Sequence, residues 1–222
     1  FTDFNTVREV IKPKEKINNI ALSPDGKRIA GVGATGNLYI WDVTANYAEK
    51  VAYKNAVSLT SVAFAIDNSR RIIIGDNNGQ IRVITEDSSL PPRNLSGHTA
   101  HIEQILFNNA GTFLATTSRD GKVRLWNWSK LQENPIVLTD TNLGDWVWSA
   151  AFSPDDEQLM IGIHSNNNNA KETIHVWPTK VASMANSLCG YVDRNMTKDE
   201  WDNYATGLTY EKTCDNYPAN NK

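Results

Sequence analysis

The stretch that decides the fold is Ile102-Glu-Gln-Ile-Leu-Phe107-Asn-Asn-Ala-Gly111, continued by Asp120-Gly121-Lys-Val-Arg-Leu-Trp126. Its short apolar runs have the length and pattern of β-strands, and Gly111 and Gly121 lie where turns would separate the strands. Glycine accepts the positive φ that such turns often need. The stretch therefore predicts neighbouring strands joined by tight turns.

This pattern occurs four times along the chain. The large apolar residue that ends the first strand recurs at steps of 42, 43 and 45 residues, at Leu22, Phe64, Phe107 and Phe152. The residue that ends the third strand recurs at steps of 43, 42 and 51, at Trp41, Ile84, Trp126 and Trp177. The last step is long because an insertion at 165–172 replaces a tight turn. A steady period of this length indicates a repeat fold.

The repeats resemble the WD-repeat family, whose units of about 40–45 residues form the four-stranded blades of a β-propeller. Gly97-His98 before the third copy and Trp41-Asp42 at the end of the first copy carry this resemblance. The second copy departs from it, because it ends in Ile84-Thr85. The resemblance implies an all-β fold: a WD-repeat β-propeller of four blades, partial rather than complete, with a short helical C-terminal tail.

The predicted blade domain covers residues 1–179, with blades at about 17–42, 59–85, 97–127 and 144–178 and with 6–11 as the outer strand of a preceding blade. WD-repeat propellers usually have seven blades, so the resemblance implies upstream blades or a second half-propeller, which would make a homodimer. Residues 180–222 are predicted to form a tail with short helices. A capping box from Thr197 to Glu200 predicts where the second helix begins.

The resemblance also implies a structural hydrogen-bond network in the third copy, formed by His98, Thr116, Asp120 and Trp126. Buried polar groups need partners, so such a network would hold the strands in place. Thr35 and Asn78 stand where the first two copies would carry the aspartate, and both are weaker acceptors than a carboxylate. We therefore expect His98 to stabilise the fold rather than to bind a ligand.

Two positions in each WD-type blade most often face a partner: the one before the first strand and the one before the aspartate of the tight turn. The partner-binding candidates at these positions are Lys16, Ser58, Asn77, His101, Arg119 and Trp146. Tryptophan and arginine often dominate the binding energy of interfaces. Trp148 is expected to pack between blades, and a carbohydrate-stacking role for Trp146 or Trp148 is the alternative.

The remaining sequence features favour binding over catalysis. A formal net charge of -3 disfavours nucleic acid as a partner, and no apolar run reaches the roughly 18 residues of a membrane span. The glycines of Gly31-Val-Gly-Ala-Thr-Gly36 have dinucleotide-binding spacing, but a strand rather than a helix follows, which indicates a turn. We predict no metal, no cofactor and no catalytic residues; a propeller hydrolase is the enzymatic alternative.

The leading hypothesis is a non-catalytic protein-interaction or sensor module, the C-terminal part of a larger signalling or scaffold protein. Its tail, with Cys189, Arg194-Asn-Met-Thr197, Glu200-Trp201 and Thr213-Cys214, is similar to one that follows the last blade of many bacterial WD-repeat proteins. Cys189 and Cys214 form either a disulfide or two thiols. A disulfide favours an extracytoplasmic compartment, and thiols favour the cytoplasm.

Overall fold

The computed structural model describes residues 11–67, 69–86, 90–139, 145–165, 173–204 and 209–219. The chain divides into two compact units, Phe1–Phe152 with Met160–His175, and Ser153–Leu159 with Val176–Lys222. The predicted outer strand at 6–11, apart from Ile11, and the insertion at 165–172, apart from Ser165, lie outside the described residues.

Four sheets follow one another along the chain, and we call them blades 1 to 4. Blade 1 holds β1 (Ile17–Leu22), β2 (Arg28–Gly33), β3 (Asn37–Asp42) and β4 (Ala48–Lys54). Blade 2 holds β5 (Leu59–Phe64), β6 (Arg71–Asp76), β7 (Ile81–Thr85) and β8 (Arg93–Leu95). Blade 3 holds β9 (Ile102–Phe107), β10 (Phe113–Ser118), β11 (Val123–Asn127) and β12 (Ile136–Leu138), with a 3-10 turn at Trp128–Lys130. In its described residues, blade 4 holds β13 (Trp146–Phe152), β14 (Gln158–His164) and β15 (Thr173–Pro178).

The predicted all-β fold of WD-type blades is confirmed. Within blades 1 to 3, neighbouring strands in the sheet are also neighbours in sequence, and each pair is antiparallel. The glycine-rich stretch before β3 is a strand-to-strand turn as predicted, with Gly36 at a φ of 90° and Val32 paired to Leu38. Among the described residues, no helix has the length and apolar character to cross a bilayer.

A β-bulge occurs at the same place in the first strand of blades 1, 2 and 3, and it leaves one residue without a partner in the neighbouring strand. The bulged residues are Asn18, Thr60 and Glu103. A bulge re-aims a side chain. In blade 1 Asn18 Nδ2 donates to Leu59 O at 2.7 Å, and in blade 2 Thr60 Oγ1 donates to Ile102 O at 2.7 Å. These two bulges therefore join each blade to the next one.

The apolar core lies between neighbouring blades of the first unit. Between blades 1 and 2 it consists of Ala30, Val32, Leu38, Ile40, Leu59, Val62, Phe64, Ile72, Ile74 and Ile84. Between blades 2 and 3 it consists of Ala63, Ala65, Ile73, Ile81, Val83, Leu95, Ile102, Ile105, Leu114, Trp126, Trp128 and Leu131. Each buried side chain of this size stabilises the fold by about 1.5–3 kcal/mol relative to exposure. Sheet-against-sheet packing is therefore the main source of stability.

The second unit contains two short helices, α1 (Val181–Leu188) and α2 (Lys198–Tyr204). The predicted capping box is formed, because Glu200 N donates to Thr197 Oγ1 at 3.2 Å and Thr197 N donates to Glu200 Oε2 at 2.8 Å. Arg194 holds the same carboxylate by two hydrogen bonds of 2.7 Å. The pKa of Glu200 is lowered to about 2, chiefly by the hydrogen bond from Arg194.

A disulfide and one buried amide hold the rest of this unit together. Cys189 and Cys214 are bonded to each other across 25 residues of sequence. Closing a loop of this length removes unfolded-state entropy worth about 3 kcal/mol in the chain-entropy model. Asn195 is buried beside the disulfide, where its Nδ2 donates to Cys214 O and its Oδ1 accepts from Cys214 N. A segment with little apolar core is thus fixed by covalent and polar links.

A glycine allows the closest approach between blades 2 and 3. A Cβ added to Gly75 of β6 would lie 2.6 Å from Cγ2 of Ile102 and 2.7 Å from its Cβ, which no real contact tolerates. Ile102 is fully buried, so it cannot move aside without opening the core. The absence of a side chain at Gly75 therefore sets the distance between the two sheets.

We expect Gly75→Ala to lower the free energy of unfolding by about 1–3 kcal/mol, because the added methyl group forces the sheets apart. Urea denaturation followed by circular dichroism measures this change. Gly190→Ala is the control, since its Cβ would lie 3.4 Å from the nearest atom, Ser187 O. A Gly75→Ala variant as stable as the control would contradict the tight contact.

Candidate interaction surface

The structure joins the four network residues of blade 3 by a continuous chain of hydrogen bonds. Trp126 Nε1 donates to Thr116 Oγ1 at 3.1 Å, and Thr116 Oγ1 lies 2.9 Å from His98 Nε2. His98 Nδ1 lies 2.9 Å from Asp120 Oδ2. Arg124 Nη1 lies 2.8 Å from the same Nδ1 and 3.4 Å from Asp120 Oδ2, so the His98 tautomer sets whether Nδ1 donates to Asp120 or accepts from Arg124. The chain links the tight turn to strands β10 and β11.

The electrostatics of this network favour a neutral imidazole beside a charged carboxylate. Burial lowers the pKa of His98 below its ordinary value and outweighs the opposite effect of Asp120. Burial alone would raise the pKa of Asp120, but the hydrogen bond from His98, the Thr99 backbone and the nearby Arg124 guanidinium lower it overall. The backbone N–H of Thr99 adds a further hydrogen bond to Asp120 at 3.1 Å. The network is therefore built to hold strands together without carrying an exchangeable charge.

Blade 2 obtains its carboxylate from a position that the repeat pattern does not indicate. Asp76 at the end of β6 is 1% exposed, and its Oδ1 accepts from the backbone N–H groups of Asn78 and Gln80 at 2.9 and 3.0 Å. Its Oδ2 accepts from Asn55 Nδ2 at 3.1 Å and Arg82 Nη1 at 2.8 Å. The backbone N–H of Asn78 thus donates to the carboxylate of Asp76, and the Asn78 side chain does not take the place of the turn aspartate.

Blade 1 uses a glutamate that precedes its first strand. Glu15 accepts hydrogen bonds from Thr35 N at 2.5 Å, Asn37 Nδ2 at 2.6 Å and the Tyr39 hydroxyl at 2.8 Å. Burial would raise the pKa of Glu15, but these hydrogen bonds outweigh it and lower the pKa to about 2. The sequence signal for Glu15 and Asp76 is a polar side chain three residues after the turn glycine. This side chain is Tyr39 in blade 1 and Arg82 in blade 2.

In each of blades 1 to 3, the two candidate partner-binding positions are direct neighbours in space. The backbone N–H of Ala34 donates to Lys16 O at 2.9 Å, that of Asn77 to Ser58 O at 3.1 Å, and that of Arg119 to His101 O at 3.0 Å. The loop before each first strand therefore lies against the tight turn of its own blade. The backbone of each turn thus holds the two candidate positions of blades 1, 2 and 3 next to each other.

Side-chain contacts extend this arrangement from blade 2 to blade 3. His101 Nδ1 lies 2.8 Å from Asn77 Oδ1, and Glu103 forms an ion pair with Arg119. Burial lowers the pKa of His101, so its neutral form donates to the Asn77 amide. Because Glu103 occupies the bulge, its carboxylate points to the same rim as these residues.

Arg119 continues the contacts to two tryptophans of blade 4. Its guanidinium lies 4.7 Å from the ring centre of Trp146 and 5.6 Å from that of Trp148. The two indole rings are nearly parallel with centres 6.5 Å apart, and the His164 ring lies 5.7 Å from Trp146. Trp148 is half exposed; its expected packing between blades stays a prediction, since no blade follows blade 4 among the described residues.

We call the connected residues Ser58, Asn77, His101, Glu103, Arg119 and Trp146 the rim patch. Among the six sequence candidates, the structure connects five; Lys16 lies at blade 1 with its side chain exposed. Glu103 is the member that sequence reasoning missed. Its signal is the register, since Glu103 aligns with the bulged Asn18 and Thr60.

A cleft of about 720 Å³ opens beside the tryptophans on blade 4. The cleft is lined by Trp146, Trp148, Ser149, Gly162, Ile163, His164, Thr173 and Ile174. A Cβ on Gly162 would lie 2.8 Å from Ser149 Oγ, so the glycine keeps the floor of the cleft open. Among the described residues, no three His, Cys, Asp or Glu side chains are grouped so that they could hold a metal ion.

We expect His98→Ala to lower the free energy of unfolding by about 2–4 kcal/mol, because Thr116 and Asp120 lose a buried partner and a cavity forms. The wild type should also lose stability as the pH falls through 6.5, the ordinary pKa of histidine. Below that pH the unfolded chain binds a proton that the buried, neutral His98 does not, so protonation favours unfolding.

Urea denaturation at about pH 7.5 and pH 5.5 measures both effects, since those values bracket the histidine pKa. In His98→Gln the loss of stability between the two pH values should shrink. An unchanged pH dependence in that variant would contradict a neutral buried His98.

Comparison with known proteins agrees with the architecture. The model of the WD domain, G-beta repeat, matches residues 5–42 and 90–127. The chain is 29% identical over 145 residues to the Protein LST8 homolog of Drosophila melanogaster, covering 61% of this chain and 44% of that protein. It is 26% identical over 145 residues to Protein ROOT INITIATION DEFECTIVE 3 of Arabidopsis thaliana, covering 59% of this chain and 33% of that protein.

A third relative is WD repeat-containing protein 1 of Bos taurus, 23% identical over 178 residues, which covers 78% of this chain and 28% of that protein. The chain thus spans less than half the length of each of these relatives. The matched segments include the network residues of blade 3, and the four blades keep one register along the chain. These findings support WD repeats at residues 5–42 and 90–127 within an all-β fold of WD-type blades.

Proposed function

We propose that the chain is a non-catalytic protein-interaction module whose rim patch binds a protein partner. The observation that carries this proposal is the unbroken series of contacts from Asn77 through His101 to Arg119, whose guanidinium meets Glu103 and Trp146. These contacts hold the side chains in defined positions before a partner arrives, which lowers the entropic cost of binding.

The residue types of the rim patch suit a protein interface. Arginine and tryptophan are enriched among the residues that dominate binding energy. Arg119 stacked on Trp146 presents a large apolar surface with a fixed charge at its edge. Glu103 forms an ion pair with Arg119 and is the more buried of the two, with its side chain 10% exposed against 34% for Arg119. A partner would therefore meet mainly the guanidinium and the indole.

The architecture supports a place for this module within a larger assembly. Its relatives are more than twice as long as the matched segment, and we infer that its tail is of the kind that follows the last blade of bacterial WD-repeat proteins. We propose that the chain is the C-terminal part of a larger signalling or scaffold protein. Upstream blades or a second half-propeller would complete the propeller.

A carbohydrate ligand is the second candidate, favoured by the half-exposed Trp148 at the mouth of the 720 Å³ cleft. Sugar rings stack on exposed indoles through their C–H faces, and hydroxyl groups could bond to Ser149 and Thr173 in the cleft lining. This site shares Trp146 with the rim patch, so mutations of Trp148 and Arg119 separate the two proposals.

We expect the triple variant His101→Ala/Arg119→Ala/Trp146→Ala to lose the partners that the wild-type chain retains in a pull-down from its native host. Loss of buried arginine and tryptophan contacts commonly weakens binding by more than 2 kcal/mol for each such residue. Lys130→Ala, an exposed change in the 3-10 turn, is the control. A triple variant that folds and keeps every partner would overturn the rim patch.

A glycan array of the wild type and Trp148→Ala tests the second candidate. If Trp148 is a stacking platform, its loss should abolish glycan signals while Arg119→Ala leaves them in place. An array without signal for the wild type would reject the carbohydrate proposal and leave the protein-binding proposal intact.

A further inference from the structure

Two apolar side chains on β1 are exposed at positions that are buried in the next blade. Ile20 is 66% and Leu22 is 62% exposed. By register they correspond to Val62 and Phe64 of blade 2, which are 4% and 5% exposed because they pack against blade 1. Blade 1 therefore presents the face that every later blade turns toward its predecessor, and the described residues do not cover it.

Within the part of the chain that the structure describes, blade 4 has its opposite face uncovered. Ile174 of β15 is 76% and Met160 of β14 is 37% exposed. By register Ile174 corresponds to Ile81 of blade 2 and Leu38 of blade 1, both fully buried against the following blade. Blade 4 therefore presents the face that earlier blades turn toward their successor.

The cleft on blade 4 is shaped by the same register. Gly162 on its floor corresponds to Gly75 of blade 2, where Ile102 of the next blade packs so closely that no side chain fits. Ile102 is the first residue of β9, and its counterpart in blade 1 is Ile17, the first residue of β1. The cleft on blade 4 therefore corresponds to the space between blades 2 and 3 that Ile102 fills. Ile17 is the residue of blade 1 that corresponds to Ile102.

We propose that the β1 face of one copy, formed by Ile17, Ile20 and Leu22, docks into the blade 4 cleft of a second copy of this chain. A second copy fits because each chain carries both halves of one interface, and that interface already exists twice within the chain. The contact is head-to-tail, so a pair in which it forms twice leaves neither face exposed. This contact uses no member of the rim patch except Trp146, which lines the cleft.

Light scattering of the purified chain should give twice the 24.8 kDa mass of one copy at micromolar concentration. Ile20→Asp and Ile174→Asp should each raise the dissociation constant of the pair at least about 100-fold, because an unpaired charge is buried in an apolar contact. Both side chains are exposed in a single copy, so each variant should fold, with an unchanged circular dichroism spectrum. Val51→Asp, on the outer strand β4 and 41% exposed, should leave the mass unchanged.

Mixing the variants tests the head-to-tail geometry. Ile20→Asp keeps its blade 4 face and Ile174→Asp keeps its β1 face, so the two variants together form one intact contact. The mixture should therefore yield one-to-one pairs although each variant alone is a single copy. A wild type that stays at the mass of one copy would overturn the proposal and assign the faces to further blades. Paired single variants, or a mixture that does not associate, would overturn it as well.

Discussion

Apolar packing between neighbouring sheets is the interaction on which the rest of the structure depends. A three- or four-stranded sheet has two faces, and in blades 2 and 3 both are lined with apolar residues such as Ile73, Ile74, Leu114 and Leu125. Such a sheet cannot be stable alone, since it must bury both faces. Repetition at a near-constant step solves this problem because each blade presents the same pair of complementary faces. Gly75 and Ile102 show how closely the faces fit.

Polar groups at the blade turns meet a second constraint, which is that buried donors need acceptors. Blade 3 satisfies it with Asp120 in the turn, blade 2 with Asp76 at the end of a strand, and blade 1 with Glu15 before the first strand. Three different sequence positions thus place a carboxylate at the tight turn of their blades. The turn requires a hydrogen-bond acceptor, but the acceptor does not have to come from the same position of the repeat.

The same geometry explains why the candidate surface holds together. The loop before each first strand is hydrogen-bonded to the tight turn of its blade, so residues some 20 positions apart become neighbours. At the bulge, the side chains of Asn18 and Thr60 donate hydrogen bonds to the next blade, whereas Glu103 forms an ion pair with Arg119. In blade 3 the bulged residue does not join two blades, so its side chain can hold Arg119 of the rim patch in place.

The sequence alone determined the four-fold register, the strands, the tight turns and the capping box, because these follow from local patterns and from a repeated period. The resemblance to the WD-repeat family indicated the blade 3 network and the candidate rim positions. Only the tertiary structure decided that Asp76 and Glu15 replace the turn aspartate, that Glu103 joins the rim patch and that Trp148 is half exposed. These features depend on which side chains come into contact across blades and turns. Such contacts join residues far apart in the chain, so local sequence patterns do not predict them.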